Sequence, residues 1–504
     1  MNKRSKKECE SGIDYILPDY MGDIRKILMS RAKVVPSGSF ATEGVLEASG
    51  SVEYEVLYTD SDGKLTAINT SSDYTARIPI KDGEYEAAAL DPTVASLAVR
   101  VTGPRKVSLR AIVETDALIN YSNDEYVMGD AAESKSAECE YVNVTAEKYV
   151  FSGSLEREYA EEGDRLVGVV GEDVDIISVG GEVVIREAIP KAGGAEVRGD
   201  LLIYAIVRAP MQPPFRIKRS IPFSEFIAMD GDVEGAVLIP RGTVSSAVVG
   251  ANDDGEDKQL VFSAIAELSC VAILNEKRSL VSDLYLPDYE TENTYKNREY
   301  TSLESYREIP LDITATVSRE SVGAENITEL IHTSCDVSEI ETELDGENVR
   351  ISATAHLCGV ACEVNADGSV DYIPIKTSTK IEHNVNNCFY DSENVKAVCR
   401  IRAHSADSVV DASEITLSAV CDVELSLLSG KSVRCLASSA VGEKIKPTGV
   451  EVTVYFPTPG DTLYSVGKHF HTPIAKIVND NDLSLSAGVT SFEEIDAKKI
   501  FIIR

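Results

Sequence analysis

His356, Cys358 and Cys362 stand at even spacing in one run, so an extended strand would project all three side chains from a single face. Imidazole and thiolate are ligands that suit zinc. The spacing is that of neither a zinc finger nor a zinc ribbon, and no second cysteine pair stands nearby in the sequence, so the three read as a packed strand face. Gly430-Lys431-Ser432 has the ending of a phosphate-cradling loop, but that loop needs a glycine five residues before Gly430, where Leu425 stands. The segment joins two strand-like runs, which predicts a hairpin turn. Pro210-Met211-Gln212-Pro213-Pro214 reads as a rigid hairpin loop rather than a polyproline ligand. The sequence holds no Gly-x-Ser-x-Gly elbow, no His-Glu-x-x-His pair and no dinucleotide fingerprint. These residues argue against an enzyme and predict neither a metal site nor a cofactor.

The chain has 504 residues and a net charge of −34, which argues against a nucleic-acid surface, because phosphate binding demands a basic face. Nearly all of that charge lies before residue 451. Ten cysteines are scattered from Cys9 to Cys435, several inside apolar runs such as Leu268-Ser269-Cys270-Val271. Buried thiols behave as small hydrophobes, and this usage fits a reducing compartment. No stretch approaches the roughly 18 apolar residues of a membrane helix. The first apolar cluster, Ile13 to Leu17, is interrupted by Asp14 and followed by Pro18-Asp19, so no secretory signal is expected.

The elements that must position these residues are strands. Val52 to Tyr58 alternates and meets a turn at Asp62-Gly63; Ile351 to Val364 precedes Asp367-Gly368; Ile415 to Leu425 alternates cleanly. Strands at short spacing with Gly, Asp and Pro turns predict a mainly β protein of sandwich-like or barrel-like domains. A weak internal repeat recurs at an offset of roughly 150 residues. It aligns the strand of Tyr54 with that of Tyr204, and Val197-Arg198 with Val349-Arg350. Each unit has a second strand ending in Ile-Pro (Ile78-Pro79, Ile221-Pro222, Ile373-Pro374) and a later long strand around Val107–Val113, Leu260–Leu274 or Ile415–Leu428. Leu17-Pro18-Asp19-Tyr20 is echoed by Leu286-Pro287-Asp288-Tyr289. The expected layout is an N-terminal segment 1–22, three tandem β-repeats at 23–143, 144–294 and 295–446, and a small domain at 450–504. Separate beads are expected, joined by polar linkers at Asn123–Glu140, Glu290–Glu304 and Gly442–Gly449.

In the tail, Val452–Phe456 reads as a strand. Pro459-Gly460 turns the chain, and Asp461 or Thr462 caps a helix whose core positions are Leu463, Val466 and Phe470. Thr472-Pro473 opens a second helix, with Thr472 at the cap, Pro473 first inside and Ile474, Ile477 and Val478 on the inner face. Lys499–Ile503 is the closing strand, giving a βααβ order.

The run Pro459-Gly460-Asp461-Thr462-Leu463-Tyr464-Ser465 resembles the opening of a LysM module, and the resemblance covers about 50 residues. It implies a shallow groove between two loops, carried over to Gly460, Asp461, Thr462 and Tyr464 and to Asn479, Asn481 and Asp482. The usual Pro-Gly turn before the last strand is absent, and Glu494-Ile495-Asp496-Ala497 stands there. The body resembles the repeated SPOCS β-domain of clostridial spore-coat proteins. Leu17-Pro18-Asp19-Tyr20 with Asp23-Ile24, and the Ile-Pro-Phe-Ser-Glu-Phe-Ile run at 221–227, carry that likeness. Repeats followed by a C-terminal LysM resemble the SipL family of coat morphogenetic proteins. That resemblance implies a non-enzymatic scaffold in the mother-cell cytoplasm, at the forespore surface. Its LysM would dock on the coat basement-layer ATPase, and its β-repeats would meet other coat proteins during encasement. The alternatives are a protein binding an N-acetylglucosamine-containing glycan of cortex or wall, and a structural exosporium or surface-layer protein.

Overall fold

The computed structural model describes residues 2–81, 85–121, 137–166, 174–209, 212–254, 257–323, 326–327, 329–365, 368–388, 394–446, 452–484, 491–495 and 499–503. The chain opens with β1 (Asn2–Ile16), a meander of β2 (Ile24–Thr42), β3 (Val45–Asp60) and β4 (Leu65–Pro79), then β5 (Tyr85–Gly103) and β6 (Lys106–Tyr121). β7 (Glu138–Phe151) and β8 (Leu155–Leu166) lead into β9 (Asp175–Lys191), β10 (Gly194–Arg208) and β11 (Phe215–Ala228), then β12 (Val237–Asp254) and β13 (Asp257–Tyr285). β14 (Tyr289–Ser318) and the single turn α1 (Arg319–Val322) precede β15 (Leu330–Asp345), β16 (Asn348–Val364) and β17 (Val370–Val385), then β18 (Val395–Val410) and β19 (Glu414–Lys444). The tail holds β20 (Val452–Tyr455), α2 (Leu463–Phe470), α3 (Ile474–Asp480), α4 (Phe492–Ile495) and β21 (Ile500–Ile503).

The protein is mainly β, in small antiparallel sheets. The meanders form sheets of order β2-β3-β4, β11-β10-β9 and β15-β16-β17. The remaining long strands form β1-β6-β5, β12-β13-β7 with β8 also on β13, and β14-β19-β18. The barrel alternative is corrected: among the described residues no sheet closes on itself. Each of β4, β11 and β17 is an edge strand and each carries an Ile-Pro pair, because an edge position tolerates a residue that cannot donate to the ladder. Only β4 ends there, whereas β11 and β17 run on past the proline, contrary to the sequence expectation.

Alternation explains the cores. Along β6 every second residue, from Val107 to Tyr121, is buried. Val107, Leu109, Ala111 and Val113 meet Val52, Tyr54, Val56 and Tyr58 of β3. Likewise β10 packs on β13, through Leu201, Ile203 and Ala205 against Phe262, Ala264 and Ala266. β16 packs on β19, through Ile351, Ala355 and Leu357 against Leu417, Ala419 and Val423. A buried aliphatic or aromatic side chain contributes about 1.5–3 kcal/mol. Asp60 sets the β3–β4 turn, its carboxylate accepting from the backbone N–H of Asp62 at 3.0 Å and of Lys64 at 2.8 Å, while Gly63 takes φ +79°.

The chain forms two compact units. The larger holds Met1–Ser122, Lys148–Leu274 and Leu303–Ser429; the smaller holds Asn123–Glu147, Asn275–Ser302 and Gly430–Arg504. Inside the larger unit the strand sets are not separate beads: Leu57 of β3, Ile206 of β10 and Val360 of β16 share one buried cluster. There too the Asp91 carboxylate (β5) faces the guanidiniums of Arg241 (β12), Arg400 and Arg402 (β18). Glu290–Glu304, expected as a linker, lies within β14. Its half-buried alternating positions are Thr291, Asn293 and Tyr295, so polar atoms hide the strand period. Gly430-Lys431-Ser432, expected as a hairpin turn, continues β19. Most of Asn123–Glu140 and residues 447–449 lie outside the described residues, as do Pro210 and Met211.

Candidate functional site

In the tail, β20 and β21 pair antiparallel, Val452 opposite Ile503 and Tyr455 opposite Ile500. Leu463 and Val466 of α2, Ile477 of α3, Phe492 of α4, and Ile500 and Ile502 of β21 form the core, with Phe470, Ile474 and Val478 at its margin. Thr462 is the helix cap. Its side chain accepts from the Ser465 backbone N–H at 3.0 Å, and the Ser465 hydroxyl accepts from the Thr462 N–H at 2.9 Å. The second helix starts one residue later than the sequence suggests, with Pro473 at the cap and Ile474 first inside. Thr472 is instead buried, donating to the Phe470 carbonyl at 3.1 Å.

The residues carried over from the LysM likeness divide by what they touch. One oxygen of Asp461 accepts from the Thr458 backbone N–H at 2.7 Å, the Tyr455 hydroxyl at 2.8 Å and the Thr458 hydroxyl at 2.9 Å. The Thr458 N–H, and behind it the two hydroxyls, hold this carboxyl below its ordinary range. Asn481 donates to the carbonyls of Ile477 at 2.9 Å and Phe501 at 2.7 Å and accepts from the Phe501 N–H at 2.6 Å, tying α3 to β21. Tyr464 is buried, its ring 5.4 Å from that of Tyr285 in a T-shaped arrangement. Gly460, at φ +91°, and Asp482 are exposed on the two loops, and Asn479 is exposed in the last turn of α3. Residues 485–490 and 496–498, including Asp496 and Ala497 of the loop before β21, lie outside the described residues.

The β20–β21 sheet has a second face. Val452, Val454 and Phe456 alternate outward and Phe501 lies across from Val454, at 50%, 45%, 64% and 39% exposure. Elsewhere in the smaller unit, the tail rests on the end of β13 and start of β7. Lys468 pairs with Asp283, the Tyr285 hydroxyl donates to the Thr472 carbonyl at 2.8 Å, and Glu138 accepts from the Ile474 N–H at 3.1 Å. A Cβ on Gly467 would stand 2.3 Å from the Tyr285 oxygen, so only glycine allows this approach.

A second candidate lies in the larger unit, and sequence reasoning missed it. A cleft is lined by Arg31 of β2, Glu182 of β9, Tyr204 of β10, Arg216, Lys218 and Arg219 of β11, Thr333 of β15 and His404 of β18. His404 is the extra residue where β18 slips register against β19, and such bulges re-aim side chains. No local motif marks these positions; only the density of cations on β11 (Arg216, Lys218, Arg219) could have drawn notice in so acidic a chain.

Of the earlier metal candidates, His356 is exposed beside the Ser338 hydroxyl at 3.0 Å, and Cys362 is packed with Leu57 and Tyr372. Among the described residues no three side chains are placed to hold a metal ion. All ten cysteines are free, and no described helix is long and apolar enough to cross a membrane. No protein-family model matches the sequence, and no curated protein matches it at a significant level.

Proposed function

We propose that this protein is a non-enzymatic assembly scaffold of the spore coat, built from three tandem β-sandwich repeats and a C-terminal LysM module. It acts in the mother cell at the forespore surface, where the module docks on the coat basement-layer ATPase and the repeats meet other coat proteins. The repeat reading is supported by the sheet orders: three times a three-stranded meander is followed by two long strands, and it is preceded by one strand in the first and third sets and by two, β7 and β8, in the second. It is supported further by bulges at corresponding places: between Val94 and Ser96 of β5, Val244 and Ser246 of β12, and Ala403 and Ser405 of β18. The LysM reading is supported by two short paired strands that enclose α2 and α3, although the single turn α4 stands between α3 and β21 where the sequence predicts only two helices.

The observation that carries docking on protein rather than sugar is the division of labour in the tail. Asp461, Thr462 and Asn481 direct their polar atoms into the module's own fold. Meanwhile Val452, Val454, Phe456 and Phe501 present an apolar strip to solvent. Exposed apolar strips of this kind mark protein contacts. The test follows the full-length protein in sporulating cells, comparing wild type with Val454→Asp combined with Phe456→Ala. Wild type should encircle the forespore and the variant should disperse while remaining folded. A variant that still encircles the forespore overturns the reading.

A further inference from the structure

We propose that the cleft of the larger unit binds a phosphate group, free or carried on a small molecule. Its volume is about 310 Å³. That exceeds what a bare phosphate fills and lies at the small end of the range for organic ligands. The lining brings four cations, Arg31, Arg216, Lys218 and Arg219, against one carboxylate, Glu182. Three of the four already face a carboxylate: Arg31 pairs with Glu182, Lys218 with Asp407 at 3.1 Å, and Arg219 with Glu161 at 2.5 Å.

Arg216 differs. Its terminal nitrogen donates to the Thr333 hydroxyl at 2.6 Å and the Ala406 carbonyl at 3.4 Å, both uncharged, and its guanidinium stands 5.2 Å from the centre of the Tyr204 ring. Its Nε is buried and makes no hydrogen bond. A half-buried guanidinium whose Nε has no partner and which contacts no carboxylate is costly, and an anion in the cleft would offset that cost. The lining also includes the hydroxyl residues Ser220, Thr333, Ser334 and Ser405, of which Ser220 donates to Asp200 at 3.1 Å and Thr333 to the Ala406 carbonyl at 2.7 Å. A planar fork beside several hydroxyls suits an oxyanion with three acceptor oxygens. Those hydroxyls come from β11, β15 and β18, so the site depends on the packing of separate strand sets and not on one loop.

The test is calorimetric titration of the full-length protein, at fixed ionic strength, with inorganic phosphate, glucose 6-phosphate, glucose and citrate. Thermal unfolding is followed in parallel. Phosphate or glucose 6-phosphate should bind and raise the wild-type midpoint above that in matched sodium chloride, and glucose should not. Tighter binding of the sugar ester would identify an organic phosphate; equal binding would assign recognition to the phosphate alone. Arg216→Met should weaken binding at least about tenfold, the scale of losing a charge-assisted hydrogen bond. Arg216→Lys should recover part of it, and Lys380→Met, the same charge change at an exposed position of β17, should leave it unaltered. Wild type indifferent to both phosphates, citrate bound in their place, or Arg216→Met binding as wild type would overturn the proposal. Should Arg216→Met fail to fold, the wild-type titrations and midpoints still decide it.

Discussion

The tail loop and the basic cleft are both polar sites, yet they are built over very different lengths of chain. Asp461 finds its partners three and six residues away, at Thr458 and Tyr455. Arg216 finds its partners 117 and 190 residues away, at Thr333 and Ala406. Local polar groups cap and turn the backbone that carries them, whereas groups gathered from distant strands can be left with unmet charge. Asp461, Thr462 and Asn481, which look functional in the tail, therefore hold its fold, and the cleft that lacks any motif has the guanidinium without a carboxylate.

The largest effect expected from this contrast lies in the larger unit. Asp91→Ala removes the carboxylate shared by Arg241, Arg400 and Arg402, leaving Glu424 beside Arg241 and Arg402 and Asp116 beside Arg400, so the cost lies at the low end of that for breaking a buried pair, about 3 kcal/mol. Denaturant unfolding should show it as a lower midpoint. Burial opposes the charge on Asp91, but the three guanidiniums outweigh burial and hold its carboxyl below the usual carboxylate range. Its folded pKa is thus depressed. The stability it contributes is complete above about pH 4 and is lost as pH falls through the lower folded value. The variant should flatten that acid loss, and an unchanged acid limb would break this side of the comparison.

Next is the tail's seat within the smaller unit. Gly467→Ala drives a methyl group against the Tyr285 hydroxyl and should cost about 1–3 kcal/mol by overpacking. Tyr285→Phe in the same background should recover part of it. The local cap is smaller again. Thr462→Ala should lower stability by about 1 kcal/mol and Thr462→Ser by much less, because the hydroxyl that accepts from Ser465 is kept. Retention of full stability in Thr462→Ala would mean that the groove side chain is free for a ligand after all. Smallest in stability is Val454→Ser. An exposed substitution of this kind should stay within about 0.5 kcal/mol, while partner capture falls.

Much of the strand content was legible because burial alternates with aliphatic residues. β6 shows it at every second position and β19 over Ile415–Leu425. The β14 segment was not, because Thr291, Asn293 and Tyr295 occupy its half-buried positions. Gly430 misled because a glycine beside polar residues suggests a turn, yet β19 runs on through it to Lys444. In the tail the core at Leu463, Val466 and Ile477 could be read from spacing, and the cap was narrowed to Asp461 or Thr462, since both depend on neighbours within a turn or two. The cleft could not, because it depends on which strands meet, and one-chain periodicity carries no record of that.

The most direct measurement is capture of the coat basement-layer ATPase by the immobilised full-length protein, with and without excess N-acetylglucosamine oligomer. Capture unaffected by the sugar, and abolished by Val454→Asp with Phe456→Ala, is the predicted result. Loss of capture in the presence of sugar, or retention of wall glycan with no ATPase, would contradict the account and make the tail a glycan-binding module.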